Sequence, residues 1–541
     1  MTKLETLQLK LTATRVRMGV IEATHGAGCG HPGGSLSAAD VLTYLYFREM
    51  RIDPEQPQDP NRDRFVLSKG HCAPGLYAAL AERGFFPVAD LPTLRHSNSY
   101  LQGHPNMNTV PGVDMSTGSL GQGVSAACGM ALGAKQQGSD INVYGMARAF
   151  HEEYGIVSEA YAYFQLSPTK FSRIVNVHIV DDFNNFVTFR NFMLKLGKRM
   201  KAEDPERVLL LIPCGDVYAN LLSQCGDDLR EYFVYNTLDV NLSRRLAYKS
   251  TFYQICEQYD LPHPKTRTVT ADEVKAGTYR DLPFSYPVAM KPANSVEWLN
   301  IDFEGRRKAY IFNDPAELET IIKRAYDAGY TSEMVIQDFI PGGDEALRIL
   351  NTFSDAEGNL VAVSGGITAL QDHSPTALGN PLCILGEREP AIIEYARKFL
   401  KRTKYQGYGN FDIKYDARTG EYNFFEINVR AGRSTYFTSL GGINFVSLVV
   451  DQYVLGKQLP YREAYRPFVY NCVPSYVLKR SILDKELLQR VLTTLKKTRS
   501  PYPLFYTKDS LLHNFWAMTM YYNQIRKFKR YFWDTDGHQY K

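Results

Sequence analysis

Four polar side chains alternate along a predicted β-hairpin at 409–434. The segment GNFDIKYDARTGEYNFFEINVRAGRS reads as strand NFDIKYD, turn ARTG and strand EYNFFEINV. Because side chains alternate between the faces of a strand, Glu426, Asn428 and Arg430 share one face, and Asp412 on the paired strand can converge with them. Two carboxylates and an amide oxygen suit magnesium bridging phosphates, and Arg430 offers a planar donor fork. Such alternation is commonly a solvated face, but burial would require a cation, so we predict a metal site.

Other candidate phosphate and nucleotide ligands precede the hairpin in a fixed order. Lys249, in RLAYKSTF, opens a predicted helix, and Lys291 lies at the end of the strand YPVAMKP. Each lysine alone would be an ordinary solvated charge. EMVIQDFIPGGDEALRIL predicts a strand, a Pro-Gly-Gly turn and a strand. The turn exposes backbone groups around Ile340 that could pair with adenine, and Asp344 or Glu345 could reach ribose hydroxyls, although an isolated segment of this kind is an ordinary hairpin.

The N-terminal segment repeats histidine beside glycine. GHPGGS stands at 30–35, SKGH at 68–71, GHP at 103–105 and the glycine-rich STGSLGQG at 116–123. Glycine lets the chain bend without a β-carbon in the way, so these segments suit close approach to a polar ligand. A single His-Gly pair would be a turn, whereas three of them predict a binding surface.

Length and composition exclude several classes of protein. At roughly 150 residues per domain, 541 residues predict three or four domains. With 62 basic and 58 acidic residues, the net charge of +4 gives no reason to expect nucleic-acid binding. There is no run of about eighteen apolar residues, and the N-terminus lacks the apolar core of a signal peptide. The eight cysteines are scattered without a CxxC motif, so we expect reduced thiols in a cytoplasmic protein.

The predicted elements that position these residues change along the chain. Strands and helices alternate over 173–245, which predicts a small parallel α/β unit. From about 285 to 440, short alternating runs such as KAYIF and LVAVSGG predict antiparallel sheets, with helices at 315–328 and 388–402. The last 80 residues are expected to be helical, aromatic and basic.

The segment from 139 to 455 resembles the ATP-grasp superfamily. The Glu-X-Asn-X-Arg signature is Glu426, Asn428 and Arg430, and the upstream acidic metal ligand is Asp412. By this resemblance Lys249 and Lys291 hold phosphates, and Gln337, Asp338 and Ile340 line the adenine site, with Asp338 standing where relatives often have Glu. SDINVYGMARAFHEEYG, LIPCGD and VIQDFIPGGDE look most similar to the D-aspartate ligase-like carboxylate–amine ligases. These join D-aspartate to an amine of a peptidoglycan precursor.

The segment from 5 to 140 resembles the thiamine diphosphate-binding part of transketolase. By this resemblance His31, His71 and His104 match active-site histidines, and Gly118 and Leu120 match positions that contact the thiamine ring. The family continues after a strand, expected here at Ile141–Tyr144, with a Gly-Asp-Gly-Glu turn and a later Asn that complete a magnesium–diphosphate site. This chain reads VYGMARAFHEEYG there, and the family's pyrimidine domain is absent. Thiamine diphosphate is therefore not expected as a cofactor, and the segment is interpreted as truncated and catalytically silent.

Together the two resemblances imply a multidomain α/β and α+β protein. We expect an incomplete transketolase-like α/β segment over 1–138, a pre-ATP-grasp α/β domain over 139–245, an ATP-grasp domain of antiparallel sheets flanked by helices over 246–455, and a C-terminal helical region over 456–541. SDINVYG, where the resemblances overlap, is consistent with either a natural fusion or a recombination or assembly artefact. Which acid and amine react, and the oligomeric state, are open.

The expected reaction is ATP- and magnesium-dependent ligation of a small carboxylate to an amine through an acyl phosphate. Lys249, Lys291 and Arg430 would stabilise charge on the transferring oxygens, with Lys291 and Arg430 as the catalytic residues. No GxSxG elbow or Walker lysine loop is present. The alternatives are a thiamine-dependent transketolase subunit acting with a partner, and a catalytically silent interaction protein.

The tail LLHNFWAMTMYYNQIRKFKRYFW (511–533) combines aromatic residues with Arg526, Lys527, Lys529 and Arg530. One interpretation is a terminal helix that packs its aromatic stripe on the ATP-grasp domain. The other is a peripheral surface for an anionic membrane or a lipid-linked precursor.

Overall fold

The computed structural model of the chain describes residues 2–57, 62–118, 140–294, 297–298, 301–307, 309–374 and 377–534. Contacts between Cα atoms divide the chain into two compact units, Met1–Gln136 and Gln137–Lys541. None of the helices in these described ranges combines the length and the apolar character needed to cross a membrane.

The described part of the first unit is built from helices. Its three α-helices are α1 (Lys3–Gly26), α2 (Pro32–Tyr44) and α3 (Ala73–Arg83). They enclose an apolar core in which Val16, Val20 and Leu76 are buried. The helix α3 ends at Gly84, whose φ of 101° is a left-handed conformation that glycine adopts without steric cost.

The second unit begins with a helix where the sequence predicted a strand. The segment Ile141–Tyr154 forms α4, so the strand expected at Ile141–Tyr144 is wrong. The carboxylate of Asp140 accepts a hydrogen bond from the backbone N–H of Asn142, and Gly155 ends the helix in a left-handed conformation. A cap at each end favours helix over strand, although the first residues of the segment are apolar.

The α/β part of this unit follows α4. Its elements are β1 (Ser158–Ala162), β2 (Val175–Ile179), α5 (Phe186–Glu203), β3 (Leu210–Leu211), α6 (Asp216–Cys225), β4 (Val234–Tyr235) and α7 (Val240–Ala247). The strands β1 and β2 pair in parallel, and β3 and β4 form a second parallel pair. The predicted parallel arrangement is confirmed, with the strands divided between two separate small sheets.

A four-stranded antiparallel sheet carries Lys291 and Gln337. The elements are α8 (Lys249–Gln258), β5 (Thr266–Val269), α9 (Ala271–Ala276), β6 (Val288–Pro292), β7 (Tyr310–Phe312), α10 (Pro315–Asp327) and β8 (Met334–Asp338). The strand order is β5-β8-β6-β7. The helix predicted to open at Lys249 and the strand predicted to end near Lys291 are both present.

A seven-stranded sheet carries the predicted metal hairpin. Its elements and neighbours are β9 (Leu347–Ser354), β10 (Leu360–Gln371), β11 (Pro381–Gly386), α11 (Pro390–Thr403), β12 (Gly407–Asp416), β13 (Glu421–Asn428), α12 (Phe437–Leu440), α13 (Phe445–Val449), β14 (Arg462–Glu463) and β15 (Val469–Asn471). The order is β13-β12-β9-β10-β11-β15, and β14 pairs with β10. Apart from the parallel β10–β14 pair, adjacent strands are antiparallel, as predicted. Phe399 of α11 packs with Phe411 and Phe424 of the hairpin.

The C-terminal part combines strands with helices. The helices are α14 (Ser475–Ser481), α15 (Lys485–Leu495) and α16 (Leu511–Phe528). Two short strands after residue 456, β14 and β15, join the seven-stranded sheet. Ala517 and Phe528 of α16 are buried in the core that also contains Val469 and Tyr470 of β15. The structure therefore ties the tail to the sheet of the ligase-like unit.

Candidate active site

The β12–β13 hairpin brings the predicted acidic residues together. Asp412 lies directly opposite Glu426 in the antiparallel register. The Asn428 amide nitrogen lies 3.4 Å from Oδ2 of Asp412 and 3.5 Å from Oε1 of Glu426. Burial, and then repulsion from Glu426, raise the pKa of the Asp412 carboxyl well above its usual value. Two carboxylates held face to face need a positive charge to remain ionised together.

Arg430 lies on the same face as these residues. Its side chain is bound both by the hairpin and by a residue of the α/β part of the same unit. Its Nη2 donates to Oδ1 of Asn428 at 3.0 Å. Nε and Nη2 lie 3.0 and 3.1 Å from the two carboxylate oxygens of Asp216, at the start of α6. The Asp216 side chain is 67% exposed, whereas that of Arg430 is 13% exposed. The guanidinium is therefore ion-paired with this carboxylate, to which Nη2 donates a hydrogen bond.

Asp216 was missed by the sequence reasoning. The segment LIPCGD was noted only for its family resemblance, although Gly-Asp after an apolar run marks the point where a strand gives way to a helix. Only the tertiary structure brings this carboxylate to Arg430, which lies more than two hundred positions later in the sequence.

The two predicted phosphate ligands lie on the elements expected for them. Lys249 is the first residue of α8, and Lys291 is on β6. Nζ of Lys291 lies 5.4 Å from the centre of the Phe425 ring on β13. Since Phe425 precedes Glu426 in the sequence, the ammonium group lies close to the acidic hairpin.

The adenine-site candidates on β8 are engaged with neighbouring strands. The buried amide of Gln337 donates to Oγ1 of Thr266 at 3.0 Å. The carboxylate of Asp338 accepts from Nη1 and Nη2 of Arg418 at 3.2 and 2.8 Å. The backbone carbonyl of Ile340 accepts from Nζ of Lys414 at 2.8 Å. The backbone of β8 pairs with β5 on one edge and β6 on the other, so strand pairing and these side-chain contacts together fix the segment that leads to Ile340.

Lys414 is a second residue that the sequence reasoning missed. It lies two positions after Asp412 on β12, so the period-two alternation used for the hairpin would have placed it on the same face. Burial lowers the pKa of the Lys414 ammonium. The residue joins the acidic hairpin to the chain at Ile340, so the two predicted parts of the site share one contact.

The two ribose candidates have different surroundings. The Asp344 carboxylate accepts from the backbone N–H of Gln371 at 2.8 Å and from its amide at 2.7 Å. Nε2 of His373 lies 3.3 Å from the same group. One oxygen of Glu345 accepts from the backbone N–H of Gly343 at 2.8 Å. Asp344 thus fixes the turn to β10. Glu345 would have to give up fewer hydrogen bonds than Asp344 in order to bind the ribose hydroxyls.

The first unit brings its three candidate histidines together. The ring centres of His31 and His71 are 5.0 Å apart, and those of His71 and His104 are also 5.0 Å apart. Burial, and then the neighbouring His71, lower the pKa of His104. A β-carbon at Gly118 would lie 3.7 Å from the His104 ring, an ordinary van der Waals distance, so this position lies beside the cluster. Leu120 lies outside the described residues.

A cavity of about 490 Å³ opens beside this cluster. Its lining residues are Gly30, His31, Pro32, Gly33, Gly34, Lys69 and His71. These residues supply imidazole, ammonium and backbone groups, and none of them is a carboxylate. The histidines that the sequence singled out therefore meet, and the lining within ranges 2–57 and 62–118 supplies no carboxylate for a magnesium–diphosphate pair.

Comparisons with known proteins separate the same two parts of the chain. Residues 249–460 match the family model of the carbamoyl-phosphate synthase L chain, ATP binding domain, and residues 9–165 match that of transketolase, thiamine diphosphate binding domain. A transketolase-family subunit, the 6-deoxy-6-sulfo-D-fructose transketolase subunit SqwG of Clostridium sp., is 46% identical over 154 residues. This match covers 28% of the chain and 56% of that protein. The chain thus spans about half the length of this transketolase relative.

The ligase-like part of the chain matches one relative over nearly the full length of that relative. The D-aspartate ligase of Enterococcus faecium is 41% identical over 410 residues, which are 74% of this chain and 96% of that protein. The solved structure of the L-amino acid ligase from Bacillus licheniformis has 15% identity and a TM-score of 0.40, and the match covers 58% of this chain and 72% of that one. From the sequence match, the chain belongs to the D-aspartate ligase family within the ATP-grasp superfamily of ligases that form carbon–nitrogen bonds.

Proposed function

We propose that the chain uses ATP and magnesium to join the side-chain carboxylate of D-aspartate to an amine of a peptidoglycan precursor. The observation that carries the proposal is the convergence of Asp412, Glu426, Asn428 and Arg430 on one face of a hairpin beside Lys291. The name of the Enterococcus faecium relative supports the choice of acid. The amine is inferred from the resemblance alone.

Magnesium is compatible with the hairpin. The opposed carboxylates of Asp412 and Glu426 would both remain ionised next to a divalent cation, and carboxylate oxygens are the ligands that magnesium prefers. In the present arrangement the amide nitrogen of Asn428 faces the carboxylates, and its oxygen faces Arg430. A half-turn of the amide would place the oxygen toward the carboxylates, and the hydrogen bond from Arg430 to this oxygen would then be lost. The ion would neutralise charge on the ATP phosphates.

The first chemical step is phosphoryl transfer to the acid. A carboxylate oxygen of the substrate attacks the γ-phosphorus, and the bond from this phosphorus to the β–γ bridging oxygen breaks, which releases ADP. Lys249, Lys291 and Arg430 would stabilise the charge that develops on the transferring oxygens. The chain contributes position and charge, so no covalent enzyme intermediate is required.

The second step forms the amide. The amine nitrogen attacks the carbonyl carbon of the acyl phosphate, the carbon–oxygen bond to phosphate breaks, and the nitrogen loses a proton. Arg430 is suited to hold a carboxylate of the acid during both steps, because its guanidinium already binds the exposed carboxylate of Asp216. Asp216 would then orient the guanidinium until the substrate arrives.

The nucleotide would lie between the two antiparallel sheets. We propose that backbone groups near Ile340 contact adenine, that Gln337 and Asp338 hold this strand in place, and that Glu345 rather than Asp344 contacts the ribose. The three hydrogen-bonding contacts that Asp344 makes with Gln371 and His373 support this choice.

A screen of acids and amines with ATP tests the proposal. Phosphate release is measured with D-aspartate, L-aspartate and D-asparagine, each with and without amine-bearing cell-wall precursors, and the products are identified by mass spectrometry. We expect release that requires D-aspartate and an amide product whose mass equals acid plus amine minus water. Phosphate release that is independent of the acid, or an acid-dependent release that yields no amide, would contradict the assignment.

A further inference from the structure

One side of α16 and a neighbouring loop residue form an exposed apolar area. Its members, which we call the α16 surface, are Phe171, Leu511, Leu512, Phe515 and Tyr522. Leu511 is 89% exposed and Phe515 is 68% exposed. Leu511, Phe515 and Tyr522 are spaced four and seven positions apart, so they lie along one face of the helix. Apolar side chains exposed in a cluster of this kind indicate an interaction surface, whereas singly scattered ones are ordinary.

The opposite face of α16 anchors the helix firmly. The buried ring of His513 contacts the carbonyl oxygens of Lys170 and Leu504, each at 2.9 Å. The buried Asp509 accepts hydrogen bonds from the Tyr144 hydroxyl at 2.8 Å and the backbone N–H of Arg173 at 2.7 Å. The exposed apolar residues therefore stand on a fixed helix and are not a frayed chain end.

Phe171 is held in an unfavourable backbone conformation at the edge of this surface. Its φ is 61°, in the left-handed region that bulky residues avoid, and its side chain is 50% exposed. The ring lies 6.0 Å from that of Trp516, and the carbonyl accepts a hydrogen bond from Ser510. Such strain persists only where the surroundings impose it, and it is concentrated at functional sites. Here it places a half-exposed aromatic ring beside Trp516, near the start of α16.

Basic residues predominate around the α16 surface, and the exposed Asp534 follows Trp533 at its C-terminal end. Exposed cations flank it at both ends; they are Lys170, Arg173, Lys508, Arg526, Lys529 and Arg530. No acidic residue occurs between 510 and 533 or between 163 and 173. The neighbouring Asp509 is buried, and Lys527 is paired with Asp372. The surface thus combines apolar and aromatic side chains with an excess of exposed cations.

We propose that the α16 surface binds the headgroup region of an anionic lipid bilayer. An 18-residue helix is about 27 Å long and would lie along the membrane plane, with its leucines and aromatic rings at the boundary of the acyl chains. The cations at both ends would contact anionic headgroups. Cations at both ends of an 18-residue helix fit a continuous anionic layer better than a single acidic peptide. The α16 surface shares no residue with the proposed ligase site.

Sedimentation of the full chain with vesicles tests this binding. The vesicles are phosphatidylcholine alone or mixed with phosphatidylglycerol, at low and high salt. We expect binding to the mixed vesicles that salt weakens. Changing Lys508, Arg526, Lys529 and Arg530 to glutamine should lower the partition coefficient on the order of 100-fold or more, since each cation near such a surface contributes about fivefold. Glutamine at the exposed Lys195, Lys198, Lys323 and Lys485 is the matched control and should lower it far less.

A second variant tests the apolar part. Serine at Leu511, Leu512 and Phe515 should abolish binding, while serine at the exposed Ile156, Val187 and Val208 should not. Equal recovery with neutral and anionic vesicles, or equal effects of the matched variants, would overturn the proposal. So would a change from dimer to monomer, measured by light scattering, in the Leu511, Leu512 and Phe515 variant, because the surface would then be an interface between copies. Phosphate release by the same variants in solution reports separately on the ligase reaction.

Discussion

In both the histidine cluster of the first unit and the acidic hairpin of the second unit, the fold brings motif residues together. The two groups differ in whether the other ligands that a bound group needs are also present. His31, His71 and His104 meet beside a cavity whose lining residues, among those that the structure describes, include no carboxylate. Asp412 and Glu426 meet with an amide and a guanidinium already in place. The comparison teaches that the proximity of motif residues does not by itself make a site. The donors that a bound group requires must also be present.

The difference has a simple origin in chain connectivity. The acidic set lies on two strands joined by a four-residue turn, so strand register alone brings it together. The histidines come from three separated segments, and the transketolase resemblance requires further residues after 140. In this chain those positions form α4, which belongs to the second unit.

The largest expected effect is the loss of activity on changing Glu426→Gln. Removing one of two carboxylates proposed to hold magnesium should lower ATP turnover about 1000-fold or more, since several kcal/mol of charge stabilisation is lost. Phosphate release with D-aspartate and amine measures it, and circular dichroism checks the fold. Glu421→Gln, an exposed glutamate on the same strand, is the matched control. Turnover near that of the control would remove the hairpin from the site.

Asp509→Ala should destabilise the second unit by about 3 kcal/mol, because buried donors lose their acceptor. Burial opposes ionisation of Asp509, but hydrogen bonds from Arg173, Ser172, Ser510 and Tyr144 outweigh it and lower its pKa. A lowered pKa contributes stability above the unfolded value, and this is lost as the pH falls through the folded pKa. Urea unfolding should therefore show a large difference from wild type at pH 7 that shrinks in acid. A difference independent of pH would contradict the role of the carboxylate.

Asp216→Asn should have a smaller effect on the acid substrate. The change weakens the contact that orients Arg430, and we expect a roughly tenfold lower kcat/KM for D-aspartate, with little change in the KM for ATP. Steady-state phosphate release at varied acid and ATP measures both constants. Asp227→Asn, an exposed aspartate near the end of the same helix, is the control. An equal fall in kcat/KM for ATP would indicate a general disturbance of the site.

The smallest expected effect concerns the first unit. Alanine at His31, His71 and His104 should leave ATP turnover within about twofold of wild type, because these residues take no part in the proposed ligation. Calorimetry with thiamine diphosphate and magnesium should show no binding by the full chain, either before or after the substitutions. Micromolar binding that depends on the histidines would show that the cluster is a working site, and the comparison between the two regions would then fail.

Local patterns predicted much of the second unit correctly. The helix opening at Lys249, the strand of Lys291 and the hairpin at 409–434 all follow from residue periodicity and turn residues. The strand expected at Ile141–Tyr144 is wrong, because the short apolar run is ambiguous and the cap at Asp140 favours a helix. Asp216 and Lys414 were missed, because no local sequence pattern indicates that they contact Arg430 and the Ile340 carbonyl, respectively.

The sequence by itself determined the elements and the order of the chemical groups, because hydrogen-bonding periodicity and capping act within a few residues. It also determined which polar groups share a strand face, as for Glu426 and Asn428. Only the tertiary structure decided which separate elements meet: α6 with Arg430, β10 with Asp344, and the loop of Phe171 with α16. Those contacts depend on packing between segments far apart in the chain, and burial within the packed unit raises the pKa of Asp412.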